Sequence, residues 1–200
     1  MTIIALILSV LIGLFIVYGF KPGQTIAKLL LSFSGAYLLS ISILHLIPEV
    51  YVTGNSTIGF YILLGLLIQL VLDFFSKGAE HGHLHIQKDM RFPTALFISL
   101  SLHAFMEGIP LGGHHNHEHL LWAIVIHKVP IAILLGTFFV KSNISKLRAT
   151  LFILLFSLMS PLGSVAGGQI PFLVTYSTEI TAVVIGIFLH ISTIILFESS

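Results

Sequence analysis

Cysteine is absent from this 200-residue chain, which excludes disulfides and thiolate metal sites together. Any bound metal must therefore be held by imidazole, carboxylate, carbonyl or water. Charge is scarce as well: Asp, Glu, Lys and Arg make up 8% of the residues, where an ordinary globular domain carries about a quarter. With 56% apolar residues and a mean hydropathy of +1.05, a water-soluble globule is excluded. Strand-like alternation is missing, no repeat of solenoid period appears, and no segment has the composition of a separate soluble domain. The net charge of +1 is uninformative about partners, and no feature calls for nucleic acid.

What is present is hydrocarbon. Seven apolar runs, at about 2–20, 28–50, 58–76, 93–112, 120–140, 147–169 and 180–198, are each long enough to cross roughly 30 Å of bilayer core. Short links such as Lys21-Pro22-Gly23 and Thr53-Gly54-Asn55 separate them. The expected fold is an all-α polytopic transmembrane bundle, read as one transporter domain over 1–200. The first run lacks a basic leader and a small-residue cleavage site, so it reads as a retained helix. Orientation follows from Lys and Arg. Lys21 and Lys28 flank the first link, Lys77, Lys88 and Arg91 the third, and Lys141, Lys146 and Arg148 the fifth. Eight of the nine basic residues thus fall on one side, expected to be cytoplasmic. The amino terminus is then outside and residue 200 inside. The compact chain without a targeting segment suggests a prokaryotic inner membrane.

Against this background a few ionisable residues stand out. His103 and Glu107 lie in the apolar stretch 96–111, and His127 in 120–140. Each costs about 2.5–3.5 kcal/mol at bilayer depth on insertion scales, so each is by default a functional candidate. Residues four apart share a helical face, which points His103 and Glu107 the same way. An imidazole from the next span would complete a nitrogen and oxygen set suited to a divalent transition metal. Prolines at 48, 130 and 161 fall inside spans two, five and six. Each removes a backbone bond and frees the carbonyl four residues back, those of Leu44, Ile126 and Ser157. Free carbonyls at that depth are tolerated beside wet or protein-lined passages.

The motifs resemble those of the ZIP zinc–iron permeases, over nearly the whole chain. The likeness rests on His45-Leu46-Ile47-Pro48-Glu49 in span two, His103-x-x-x-Glu107-Gly108 in span four and His127-x-x-Pro130 in span five. Ser160-Pro161-Leu162-Gly163 in span six adds to it. The resemblance implies a mid-membrane transport site on spans four and five, often binuclear, with that bundle moving against the rest by alternating access, often in a homodimer. It also marks departures: Ala104 replaces an Asn, Lys128 an acidic residue, Ile131 a His or Glu, Ala132 a further Glu, and Ser160 a Glu of some members. These remove most second-metal ligands and spare His103, Glu107 and His127. Lys128 then stands in the space of the missing second metal beside Glu107, or clamps Glu107 across helices. Members of the family generally have eight spans, whereas this chain stops after the seventh, so a lipid- or partner-facing groove is expected.

Secondary candidates surround this site. His45 and Glu49 flank Pro48 and could line or brace the passage, and His190 with Thr193 in span seven could reach it. Gln69 and Asp73 in span three read as interfacial. Two histidine clusters, His81, His83 and His85 in the third link and His114, His115, His117 and His119 in the fourth, suit weak, exchangeable capture of Zn²⁺ on the two sides of the membrane. The glycines of 163–168 read as close helix packing. The expected function is transport of Zn²⁺, or a related first-row divalent ion, towards the cytoplasm, with the ion and the lipid bilayer as partners. An intramembrane zinc hydrolase is the alternative, because three ligands and an open position are also the pattern of catalytic zinc. A metal-sensing or haem-binding protein using paired histidines is a third.

Overall fold

The structure is a computed structural model that describes residues 1–20, 22–76, 94–113 and 118–198. Within them the chain is helical, and seven helices are long and apolar enough to cross a membrane. The spans run α1 (Thr2–Phe20), then α2 (Gln24–Ile41) continuing through a π-helical turn (Ser42–Leu46) into α3 (Ile47–Thr53), then α4 (Ile58–Ser76). The fourth span is α5 (Thr94–Gly108) tightened into a 3₁₀ turn (Ile109–Gly112). The rest are α6 (Glu118–Lys141), α7 (Lys146–Gln169), a short α8 (Pro171–Thr175) and α9 (Ser177–Glu198). The expected all-α bundle of seven spans is therefore what the chain forms.

The prolines act less drastically than their positions suggest. Pro130 and Pro161 sit inside α6 and α7, which continue through them. A proline deletes one hydrogen bond and crowds one carbonyl, and neighbouring helices can tolerate that defect inside a membrane protein. Pro48 has a larger effect. The Ile47 N–H donates to the Ser42 carbonyl, five residues back, so one extra residue is accommodated in the turn before the proline. Span two is also longer than expected, 29 residues from Thr25 to Thr53.

Three helix pairs cross with their backbones nearly touching, and glycine makes this possible. A Cβ on Gly65 of α4 would land on the Val183 carbonyl of α9, and one on Gly186 of α9 on the Ile62 carbonyl of α4. In the α5–α7 crossing, a Cβ on Gly108 would meet the Ser160 carbonyl and one on Gly163 the Phe105 carbonyl. Gly13 of α1 approaches Val129 and Ala132 of α6 in the same manner. Lipid tails are as apolar as leucine, so close van der Waals packing and polar contacts, more than hydrophobic burial, hold such helices together. Large side chains lie on both sides of the packing: Phe15, Phe33, Phe60 and Phe74 are exposed, whereas Phe152, Phe156 and Phe188 are buried. The span of α6 is the most enclosed, with 67% of it inside the protein against 28% for α1 and 22% for α4. At one end of the bundle Phe97 and Phe139 pack on Phe152, with ring centroids 4.4 and 4.9 Å away. That contact joins the starts of α5 and α7 to the end of α6.

Candidate metal centre

Four ionisable side chains meet at the middle of the bundle. Their residues are almost fully buried: His103 is 5% exposed, Glu107 1%, His127 2% and Lys128 3%. His103 and Glu107 stand one turn apart on α5, and their Nε2 and Oε2 atoms are 3.5 Å apart. From α6, the His127 ring lies edge-on to that of His103, with centroids 6.4 Å apart and planes at 81°. Lys128, its neighbour, ion-pairs through Nζ with Glu107 Oε1, and the same ammonium lies 5.1 Å from the centroid of the Phe156 ring. The groups come together because α6 is the most enclosed span, with His127 directed to His103 of α5 and Ser34 of α2 and Lys128 to Glu107 of α5 and Phe156 of α7.

Each of the three candidate ligands is held by a polar group from another helix. Gln69 Oε1 of α4 is 3.2 Å from His103 Nδ1. Ser34 Oγ of α2 is 3.4 Å from His127 Nδ1 and donates its own proton to the Leu31 carbonyl at 2.8 Å. The Ser160 hydroxyl of α7 reaches Glu107 Oε1 at 3.0 Å and also the Ala104 carbonyl. Glu107 therefore has two dissimilar oxygens. Oε1 is engaged by the ammonium and the Ser160 hydroxyl, and Oε2 faces His103. A carboxylate and an ammonium buried together offset each other's desolvation, and removing one would leave the other uncompensated.

Among the described residues, no group of three His, Cys, Asp or Glu side chains is already drawn close enough to enclose an ion. The centre is instead two imidazoles beside a carboxylate that is ion-paired to an ammonium. The ion pair expected between Lys128 and Glu107 is present, and Ser160 joins it. His45 is not part of this group: it is exposed and stacks on His119, with centroids 4.4 Å apart and planes within 8°. Glu49, one turn after His45, is exposed as well. His190 approaches Asp73 at 4.0 Å as a separate pair, and Thr193 bonds back to the carbonyls of Leu189 and His190. His81, His83, His85, His114, His115 and His117 lie outside the described residues. Two contributors escaped the sequence analysis. Gln69 was legible as an amide at bilayer depth, but its partner on another helix was not. Ser34 carried no signal, since serine is common in transmembrane helices.

Fold and site together define a polytopic helical membrane protein with a nitrogen and oxygen donor set buried at its centre. The sequence profile described as ZIP Zinc transporter matches residues 76–198, which include every side chain of this centre except Ser34 and Gln69. The chain belongs to the ZIP zinc transporter family. It is similar to Protein zntD of Dictyostelium discoideum, 32% identical over 107 residues, covering 46% of this chain and 16% of that protein. It is likewise similar to Zinc transporter ZIP1 of Danio rerio, 34% identical over 90 residues and covering 43% and 30%. Zinc transporter ZIP1 of Takifugu rubripes is 34% identical over 94 residues, with 45% and 31% covered. The chain spans less than a third of the length of these curated relatives.

Proposed function

We propose that this chain is a single transmembrane transporter domain that moves a divalent transition metal ion, zinc foremost, across the bilayer towards the cytoplasm. The ion is bound by His103 Nε2, Glu107 Oε2 and His127 Nε2. One observation carries this reading, the 3.5 Å separation of His103 Nε2 and Glu107 Oε2. That is long for a charge-assisted hydrogen bond. It is close to the ~3.4 Å edge between two donors that share one tetrahedral zinc at about 2.0–2.1 Å each. Imidazole in the donor set favours zinc and its first-row neighbours over magnesium or calcium. Family membership weighs against the zinc-dependent hydrolase.

Glu107 divides its work in this mechanism. Oε2 takes the ion, while Oε1 stays with Lys128 and Ser160, so the carboxylate binds through one oxygen and keeps its orientation. The Lys128 ammonium occupies the space that a second metal would need and makes the site mononuclear. The burial of the centre supports alternating access, in which an ion bound there is exposed first to one side and then to the other. The placement of basic residues, with Lys28 near the start of α2 and Lys146 and Arg148 at the start of α7, supports a cytoplasmic location for these helix ends, towards which the ion moves in this reading. His45 and His119 would lie at the opposite, outer mouth, where they meet the ion first. A second copy of the chain is the expected partner in the membrane.

The test is zinc uptake into proteoliposomes by the full chain and by Glu107→Ala. Wild type should give saturable uptake and Glu107→Ala only the background of protein-free vesicles. Equal uptake by the two proteins would overturn the assignment.

A further inference from the structure

We infer that Ser34 and Gln69 are positioning residues that hold both site imidazoles in the Nδ1–H tautomer, each through a neutral acceptor. The inference rests on the metal-site reading above. For His127 the argument is a count of protons. A serine hydroxyl has one, and that of Ser34 goes to the Leu31 carbonyl, which can only accept. With the hydroxyl proton so placed, the 3.4 Å contact with His127 Nδ1 takes its proton from the ring nitrogen. For His103 the partner is the Oε1 of Gln69, again an acceptor, on a fully buried side chain. A neutral imidazole protonated at Nδ1 keeps its lone pair at Nε2. The Nε2 of His103 is the atom that faces Glu107 Oε2. The two acceptors come from α2 and α4, helices that supply none of the proposed ligands.

The chemical type of the acceptors matters as much as their place. Histidines that hold a metal commonly donate to a carboxylate, a backbone carbonyl or water, and a carboxylate raises the basicity of the ligating nitrogen. Here the amide of Gln69 and the hydroxyl of Ser34 orient the rings without adding negative charge. Orientation without added basicity suits an ion that has to leave again. Gln69 and Ser34 thus set geometry and moderate affinity at the same time.

The experiment uses full-length chain with ¹⁵N-labelled histidine in detergent micelles, titrated with zinc, alongside zinc uptake kinetics in proteoliposomes. In the wild type both buried rings should report Nδ1–H, and zinc should shift Nε2 of each. Gln69→Leu should mix the tautomers of His103 and raise the apparent KM for zinc about 10–100-fold, the usual loss for an outer-shell partner, with kcat little changed. Ser34→Ala should do the same for His127. Gln69→Glu should keep the tautomer, lower KM and also lower kcat, a split that a merely structural role would not produce. Zinc-shifted Nε2 signals with tautomers and KM unaltered in both Gln69→Leu and Ser34→Ala would overturn the positioning role and leave the metal site standing. No zinc-induced shift at either ring of the wild type would overturn the metal site, and this inference with it.

Discussion

The glycine-lined crossings and the polar seams of this bundle solve opposite problems. In the α4–α9 and α5–α7 crossings the helices touch backbone to backbone, and what matters is the absence of side chains at Gly65, Gly186, Gly108 and Gly163. Along the α4–α5 and α2–α6 seams the helices are joined by a few hydrogen bonds, Gln69 with His103 and the Ser99 hydroxyl to the Leu72 carbonyl in the first, and Ser34 with His127 in the second. The crossings gain from many weak contacts that tolerate no added volume. The seams gain from few directional contacts that fix an angle and a tautomer. The crossings thus set how closely the helices approach, and the seams how the two imidazoles are held.

Substitutions can break or sharpen that division. The largest effect is expected in the crossings. Gly65→Leu and Gly163→Leu should abolish recovery of a monodisperse protein by size-exclusion chromatography, because the added carbons fall on the partner helix's backbone. Gly19→Leu, with nothing within 4 Å of its Cβ position, should elute like wild type. Next comes the buried ion pair. Glu107→Ala strands the Lys128 ammonium and should cost about 3–5 kcal/mol, the usual figure for removing one partner. The lost stability should appear as a lower thermal midpoint in detergent. The double variant Glu107→Ala with Lys128→Met should recover most of that midpoint while still failing to take up zinc. Recovery of both would separate Lys128 and Glu107 from transport altogether. The smallest effect is expected for Ser160→Ala, about 1 kcal/mol for a single hydrogen bond, seen as a slight fall in midpoint with KM for zinc raised modestly.

Much of this architecture is legible in the sequence, and the reason is physical. Transmembrane helices satisfy their backbone internally, so seven apolar runs translate into seven spans with ends shifted by a few residues. His103 and Glu107 were legible because ionisable groups are conspicuous in hydrocarbon and their spacing of four fixes a shared face. Lys128 beside His127 was legible for the same reason, and its pairing with Glu107 followed from charge. Gln69 and Ser34 were not legible as partners. Their roles depend on which helices lie side by side, and a sequence with no cross-helix information leaves that open. The π-helical turn before Pro48 also escaped, since a proline tells where a hydrogen bond is lost and not how the preceding turn absorbs the loss.

The ammonium at the centre has a consequence for selectivity. On the proposed function, with Lys128 ion-paired to Glu107, the site would offer an arriving cation little net electrostatic attraction. Ions that bind through charge alone, such as sodium, potassium or magnesium, would then find little reason to shed their water there. A metal that forms directed bonds to imidazole nitrogen gains from the two rings whatever the local charge balance. On that reading the buried ammonium would act as a filter on bonding character.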